Sequence, residues 1–124
     1  MNDYRKIFIT NNYTQRKINY RDILQLHGEM KDYLEEIILS SESNKQIIVL
    51  THHAPSFEMT RQNDKAAYYA SDCEYLFVPP VKYWISGHTH ECKDLRINGI
   101  SCLSNCVGYV SETTNFDINR FVNF

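Results

Sequence analysis

The sequence lacks a strong charge of either sign. Its 13 Lys and Arg residues nearly balance 15 Asp and Glu residues, so the formal net charge is −2. Such a balance gives no basic footprint for nucleic acid. The chain also lacks an apolar run near the roughly 20 residues needed to span a membrane, and its first residues lack the apolar core of a signal peptide. We therefore expect no nucleic-acid partner, no membrane, and a location in the cytoplasm, or in the host-cell cytoplasm for a viral protein.

Closely paired cysteines are absent as well, because the four cysteines form no Cys-x-x-Cys motif. Without a secretory signal, we expect four reduced and mostly buried thiols. A structural zinc-binding domain is a minor alternative, although the spacing matches no known Cys₂His₂ or Cys₄ module. Its ligands would be His88, His90, Cys92 and Cys106.

Apolar residues at a spacing of three or four predict one long helix over about residues 20–39. We expect Asn19 to be its N-cap. The residues predicted to form one buried stripe along this helix are Ile23, Leu26, Met30, Leu34 and Ile37. A second, short helix is expected after Ser71, capped by Ser71 or Asp72 and ended by two prolines.

Short apolar runs rich in β-branched and aromatic residues predict strands. Asn98-Gly99, between two such runs, is the strongest signal for a β-hairpin in the chain. The order of helix, strand, helix, strand and β meander predicts an α/β fold with a single domain over residues 1–124. The predicted strands lie at about residues 4–9, 47–50, 82–86, 94–98, 100–104, 107–110 and 119–123.

Four of the five histidines lie in two clusters, each directly after a predicted buried strand. His52 and His53 follow the first strand, and His88 and His90 follow the second. Ligands of open α/β sheets bind beyond the carboxyl ends of the strands. In an extended segment, His88 and His90 would project to the same side, and the preceding Gly87 would let the chain turn sharply. The pattern therefore predicts that the two clusters converge on a metal site.

At these residues the chain resembles the calcineurin-like metallophosphoesterases, which are hydrolases with a binuclear metal centre. Thr-His-His-Ala-Pro at 51–55 is similar to the family's fourth ligand motif, and Gly-His-Thr-His at 87–90 is similar to its fifth. The resemblance to a subgroup found in bacteria and viruses covers nearly the whole chain. It includes an Asn-x-x-Gly-Tyr segment at 105–109, followed by Glu112 and by Phe-Asp at 116–117.

The family's first three motifs, Asp-x-His, Gly-Asp-x-x-Asp and Gly-Asn-His, do not occur in the 124 residues. The resemblance therefore implies the carboxyl-terminal part of the family's two-sheet α/β sandwich, as a single incomplete domain. We expect a separately encoded amino-terminal half, or self-association, to complete it. We also expect little activity from this chain alone.

The resemblance implies a metal-dependent phosphoesterase that hydrolyses phosphoester bonds with a metal-bound hydroxide. The cofactors would be divalent metal ions, two in the complete domain, from among Mn, Fe, Zn and Ni. By the same resemblance, His52, His88 and His90 are the metal ligands and His53 is the catalytic residue nearer the substrate. The substrate-binding candidates are Asn2, Asp3 and Asn105.

Two other classes of function stay open at this point. In one alternative the chain is an assembly or binding module that docks with an amino-terminal half, and in the other it is an inactive truncated relic. The sequence does not choose between His52 and His53 as the ligand with certainty. It also does not identify the substrate, since one fold serves many phosphoesters.

Overall fold

The computed structural model describes residues 3–123. The chain divides into two compact units, Met1–Ile37 and Ile38–Phe124, which we describe separately. Within residues 3–123 the architecture is mixed α/β with two α-helices and two sheets, which confirms the predicted fold class. No helix of the described residues is long and apolar enough to cross a membrane.

The first unit begins with a short helix α1, Asp3–Lys6, and an antiparallel hairpin of β1, Phe8–Asn11, and β2, Thr14–Lys17. The prediction of a single strand over about residues 4–9 was therefore wrong. The pattern concealed the hairpin because both strands are almost wholly exposed. β2 is polar on both faces, so it has no alternation of apolar and polar residues.

The long helix α2, Tyr20–Ser40, agrees with the prediction. Asn19 caps it as expected, since its Oδ1 accepts hydrogen bonds from the backbone N–H groups of Arg21 and Asp22. In return, Asp22 accepts a hydrogen bond of 2.8 Å from the backbone N–H of Asn19. This reciprocal arrangement is a capping box. Arg16 adds two hydrogen bonds of 2.6 Å to the Asp22 carboxylate, so β2 and the start of α2 are tied together.

The predicted buried stripe on α2 was wrong. Leu26 and Met30 are 54% and 56% exposed, and Ile38 is the helix residue that is buried. An amphipathic pattern shows which face of a helix can be covered, but it does not supply the covering element. The α2 face is thus an exposed apolar surface.

The second unit contains a four-stranded sheet with the order β3-β4-β6-β5. Its strands are β3, Ile47–Thr51; β4, Val81–Ser86; β5, Lys93–Ile97; and β6, Ile100–Ser104. Because β3, β4 and β6 are parallel, their carboxyl ends meet at one edge of the sheet.

The strand β5 runs antiparallel to β6 and is joined to it by the predicted Asn98-Gly99 turn. Both turn residues have left-handed backbone angles, with φ of 48° and 85°. Two consecutive residues with positive φ are typical of the type I′ turn, which suits the twist of a hairpin.

The core of the second unit centres on Trp84, which is 1% exposed and packs against Phe77 at 5.4 Å between ring centroids. None of the four cysteines forms a disulfide in the described structure, and Cys73, Cys102 and Cys106 are buried, which agrees with the prediction of mostly buried thiols. Burial raises the pKa of the Cys102 thiol to about 11, with a further contribution from the charge of Glu74.

Three other local predictions failed. The short helix after Ser71 is a single 3₁₀ turn, Glu74–Leu76, and no side chain caps it. Two more 3₁₀ turns lie at Phe57–Met59 and Ala66–Tyr68. No strand forms at 107–110 or at 119–123. Side-chain hydrogen bonds, rather than pairing between strands, hold the segment after β6 in place.

Candidate metal and phosphoester site

The two histidine clusters start side by side. Thr51 and Ser86, the last residues of β3 and β4, are paired in register. Directly beyond them, the backbone N–H of Gly87 donates a hydrogen bond of 3.0 Å to the carbonyl oxygen of His52. This bond joins the two loops at the carboxyl edge of the sheet, where open α/β sheets place their ligands.

Three of the predicted imidazoles come together at this edge. The ring centroids of His52 and His53 are 5.1 Å apart, and each lies 4.6 Å from the ring of His88. Tyr69 closes one side of the cluster at 5.1 Å from His88. The structure therefore brings together residues from two strand ends that are 35 positions apart in the sequence, as the motif pattern predicted.

Thr51 is a site residue that the sequence reasoning did not single out. Its Oγ1 accepts a hydrogen bond of 2.9 Å from Nε1 of the buried Trp84. The same hydroxyl donates a hydrogen bond of 2.7 Å to the carbonyl oxygen of His53. Thr51 thus connects the core directly to the loop that carries His52 and His53, which we call the histidine loop. Its place in the Thr-His-His-Ala-Pro motif was the available signal.

His88 and His90 do not lie in an extended segment, so this part of the prediction was wrong. Their φ angles are 63° and 54°, in the left-handed region that residues with a Cβ rarely adopt. The turn is therefore made by the histidines rather than by Gly87. Backbone strain of this kind costs on the order of 1 kcal/mol and is concentrated at functional sites. As a result the two rings have different neighbours, His88 in the imidazole cluster and His90 beside Glu112.

His90 contacts residues from a later part of the chain. Its Nδ1 lies 2.7 Å from Oε2 of Glu112, and its ring meets Tyr109 edge to face at 4.7 Å. The backbone N–H of Tyr109 donates to the Glu112 carboxylate and is the main reason that the pKa of Glu112 is lowered. The hydrogen bond with His90 lowers this pKa further, while partial loss of hydration opposes both effects.

Of the three substrate-binding candidates, Asn105 is the one whose side chain lies among the described residues. Asn2 lies outside them, and so does the side chain of Asp3. The amide of Asn105 donates a hydrogen bond of 2.7 Å to the Asp117 carbonyl and accepts one of 3.1 Å from the Asp117 backbone N–H. In this structure Asn105 holds the last segment against β6, and its role toward substrate stays a prediction.

The donor chemistry of the cluster fits a divalent transition metal, because imidazole nitrogen suits Mn, Fe, Zn and Ni. The coordination shell is incomplete, however. Among the described side chains, no group of three or more His, Cys, Asp or Glu residues is arranged to hold a metal ion. The same finding removes support for a zinc site built from His88, His90, Cys92 and Cys106. Cys92, for example, contacts Asn105 and the backbone of Cys106.

A groove of about 720 Å³, lined mostly by polar and charged residues, lies beside the second motif, and sequence reasoning missed it. Glu91, next to His90, forms ion pairs of 3.2 Å with both Arg61 and Lys93. Three carboxylates and two cations line the groove, so it carries no excess of positive charge for a polyanion. Its lining residues are Phe57, Glu58, Thr60, Arg61, Gln62, Glu74, Glu91, Lys93 and Leu95.

The sequence matches the calcineurin-like phosphoesterase family over residues 2–92, which include both histidine motifs. The chain therefore belongs to this family of metal-dependent phosphoesterases. It is also 29% identical, over 135 aligned positions, to an uncharacterized protein of Acanthamoeba polyphaga mimivirus. That match covers 98% of this chain and 47% of the relative, so the chain spans about half the length of the relative. No solved structure matches the chain.

Proposed function

We propose that this chain supplies one side of the binuclear metal centre of a phosphoesterase that hydrolyses phosphoester bonds. His52 and His88 would ligate one metal ion and His90 the other, while His53 would lie nearer the substrate. The observation that carries the proposal is the cluster of three imidazole rings, within 4.6–5.1 Å of one another, at the carboxyl edge of a parallel sheet.

The separate surroundings of His88 and His90 support a division between two metal ions. His88 packs with His52, whereas His90 packs with Tyr109 and Glu112. When bound, divalent metals polarise a phosphoryl oxygen and lower the pKa of an attacking water. The contribution of this chain is to hold imidazole donors in place through the Gly87–His52 and Thr51–His53 hydrogen bonds.

We propose that an amino-terminal half of the same domain completes the site and covers the free edge of the sheet. β3 is an edge strand among the described residues, since it pairs with β4 alone. Leu50 and Ile48 on this strand are 72% and 39% exposed. An exposed apolar edge strand is prone to pair with another chain or to aggregate. An amino-terminal half that packs against β3 would therefore cover this edge and also bring the remaining metal ligands to the site.

Metal binding by the purified chain tests this proposal. We expect weak, substoichiometric binding of Zn²⁺ or Mn²⁺, measured by calorimetry and by elemental analysis after dialysis, because the shell lacks ligands. His88→Ala and His90→Ala should each reduce binding further. His27→Ala is the matched control, since His27 lies on α2 in the other unit and should leave binding unchanged. Tight binding of two equivalents that survives both site substitutions would contradict the ligand assignment.

Activity provides an independent test of the partner. With Mn²⁺ present, the chain alone should not hydrolyse p-nitrophenyl phosphate or bis-p-nitrophenyl phosphate significantly, because a partial shell supplies little transition-state stabilisation. Adding a matching amino-terminal half should restore hydrolysis, and His52→Ala should abolish it. Robust turnover by the chain alone would show that no partner is needed. Failure to recover any hydrolysis with the partner would favour the inactive relic.

A further inference from the structure

A compact turn over residues 107–114, which we call the Glu112 turn, lies beyond the region that the family match covers. The backbone N–H of Glu112 donates to the carbonyl of Tyr109 at 2.9 Å, and the backbone N–H of Tyr109 donates to the Glu112 carboxylate at 2.8 Å. The hydroxyl of Thr114 donates to the carbonyl of Val107 at 3.1 Å. The turn is thus closed by its own hydrogen bonds, and the position of the carboxylate is fixed.

Gly108 is required for this geometry. Its φ is 73°, and a Cβ at this position would lie 2.5 Å from Cγ2 of Thr114 and 2.8 Å from Oε2 of Glu112. Any side chain would therefore displace the same carboxylate oxygen that faces His90. The absence of a side chain at residue 108 lets the backbone approach Glu112 closely.

The carboxylate determines which nitrogen of His90 carries a proton. Oε2 of Glu112 lies 2.7 Å from Nδ1 of His90. An ionised carboxylate can only accept hydrogen bonds, so Nδ1 must be the donor. In the neutral imidazole the other nitrogen, Nε2, then keeps its lone pair. Tyr109, edge to face at 4.7 Å, restrains the orientation of the ring.

We propose that Glu112 is a positioning residue that holds His90 as the Nδ1-protonated tautomer and leaves Nε2 as the atom that binds metal. Carboxylate–histidine pairs of this kind orient metal ligands and raise their basicity. The role of Nε2 toward metal rests on the proposed function, whereas the tautomer of His90 does not. The two parts can therefore be tested separately.

The first test is the tautomer in the metal-free chain. Long-range ¹H–¹⁵N correlation spectra of the ¹⁵N-labelled chain, recorded at about pH 8 where imidazole is mainly neutral, distinguish protonation at Nδ1 from protonation at Nε2. We expect His90 to be protonated mainly at Nδ1. Predominant protonation of His90 at Nε2 would overturn the proposal without the need for any variant.

Two substitutions test the cause. In Glu112→Gln, the amide oxygen can still accept from both Nδ1 of His90 and the backbone N–H of Tyr109, so the tautomer should be kept. In Glu112→Leu it should shift toward Nε2, the usual preference of free imidazole. Gly108→Ala should shift it in the same direction by displacing the carboxylate. The signals of His27 serve as the internal control. An unchanged His90 tautomer in both Glu112→Leu and Gly108→Ala would refute the positioning role.

Metal affinity tests the second part. We expect Glu112→Leu to weaken Zn²⁺ binding by about 10- to 100-fold, the usual effect of removing such a partner, and Glu112→Gln to weaken it less. If Glu112→Leu shifts the tautomer of His90 but leaves Zn²⁺ binding unchanged, then Nε2 of His90 is not the atom that binds metal. The positioning of His90 by Glu112 would still stand. A chain that binds no Zn²⁺, with the tautomer as expected, would count against the proposed function and not against the positioning of His90.

Discussion

The hydrogen bond between Thr51 and Trp84 gives the sharpest test of how the core supports the histidine loop. Replacing Thr51 with Val keeps a β-branched side chain of nearly the same shape but removes the hydroxyl. Nε1 of Trp84 then loses its acceptor, and the carbonyl of His53 loses its donor. His53 is exposed, so water can replace the donor there. The cost should therefore come mainly from the indole N–H.

The expected magnitude follows from the burial of Trp84, which is 1% exposed. A buried donor left without a partner costs about 1–3 kcal/mol. In a unit of 60–100 residues, each kcal/mol lowers the melting temperature by about 4–8 °C. Thr51→Ser is the matched control, because it keeps the hydroxyl and loses one half-buried methyl group, worth less than about 0.8 kcal/mol.

Urea unfolding at a fixed protein concentration measures the effect, since Trp84 is the sole tryptophan and reports on this core by fluorescence. A double-mutant cycle followed by circular dichroism adds the decisive comparison. In a Trp84→Phe background there is no indole N–H, so Val and Thr at position 51 should differ by much less. If Thr51→Val is no more destabilising than Thr51→Ser, or if its cost is the same in the Trp84→Phe background, the assigned role of this hydrogen bond is wrong.

Two further predictions concern the backbone and pH. A Cβ at either Gly99 or Gly28 meets nothing within 4 Å, so the two positions differ in backbone conformation and not in space. Gly99→Ala should destabilise the chain by about 1 kcal/mol or more because φ is +85°, whereas Gly28→Ala should stabilise α2 by about 1 kcal/mol because alanine is the better helix former. Equal effects of the two substitutions in thermal melts would contradict this prediction. Hydrogen bonds from Arg16, and secondarily from Asn19, lower the pKa of Asp22 to about 2. Since this folded pKa is below the unfolded value, the stabilisation is present above about pH 4 and is lost as the pH falls toward 2. Circular dichroism should therefore show that the native chain and Asp22→Asn differ in helix stability at neutral pH and that this difference vanishes toward pH 2. A difference that persists at pH 2 would refute the role assigned to the Asp22 carboxylate.

The elements that sequence reasoning predicted are those with strong local signals. α2 has helical periodicity and a capping asparagine, and the Asn98-Gly99 turn has the chemistry of its turn type. The convergence of the two histidine clusters was predictable because β3 and β4 are apolar and parallel, which places the residues after them together. For α2 and the Asn98-Gly99 turn, a few neighbouring residues determine the outcome.

The features that were missed depend on long-range contacts or on the absence of a partner. Glu112 reaches His90 across 22 positions in sequence, and no periodic pattern indicates such a pairing. The hairpin β1–β2 has no buried face, so it leaves no apolar alternation. The stripe on α2 was read correctly as apolar, yet burial depends on what packs against it, which is a property of the whole assembly.

The functional unit of the second half of the chain extends beyond the family match that ends at residue 92. β6 lies between β4 and β5, so without it β4 would lose one of its two neighbours. Two contacts hold the segment after β6 against the sheet. The side chain of Asn105 forms hydrogen bonds with the backbone of Asp117, and Arg120 forms an ion pair of 2.7 Å with Asp94. These attachments hold the Glu112 turn beside His90. Since the ring of a motif histidine is oriented by residues 109 and 112, the chemistry of the Gly-His-Thr-His motif depends on a segment that the motif does not contain.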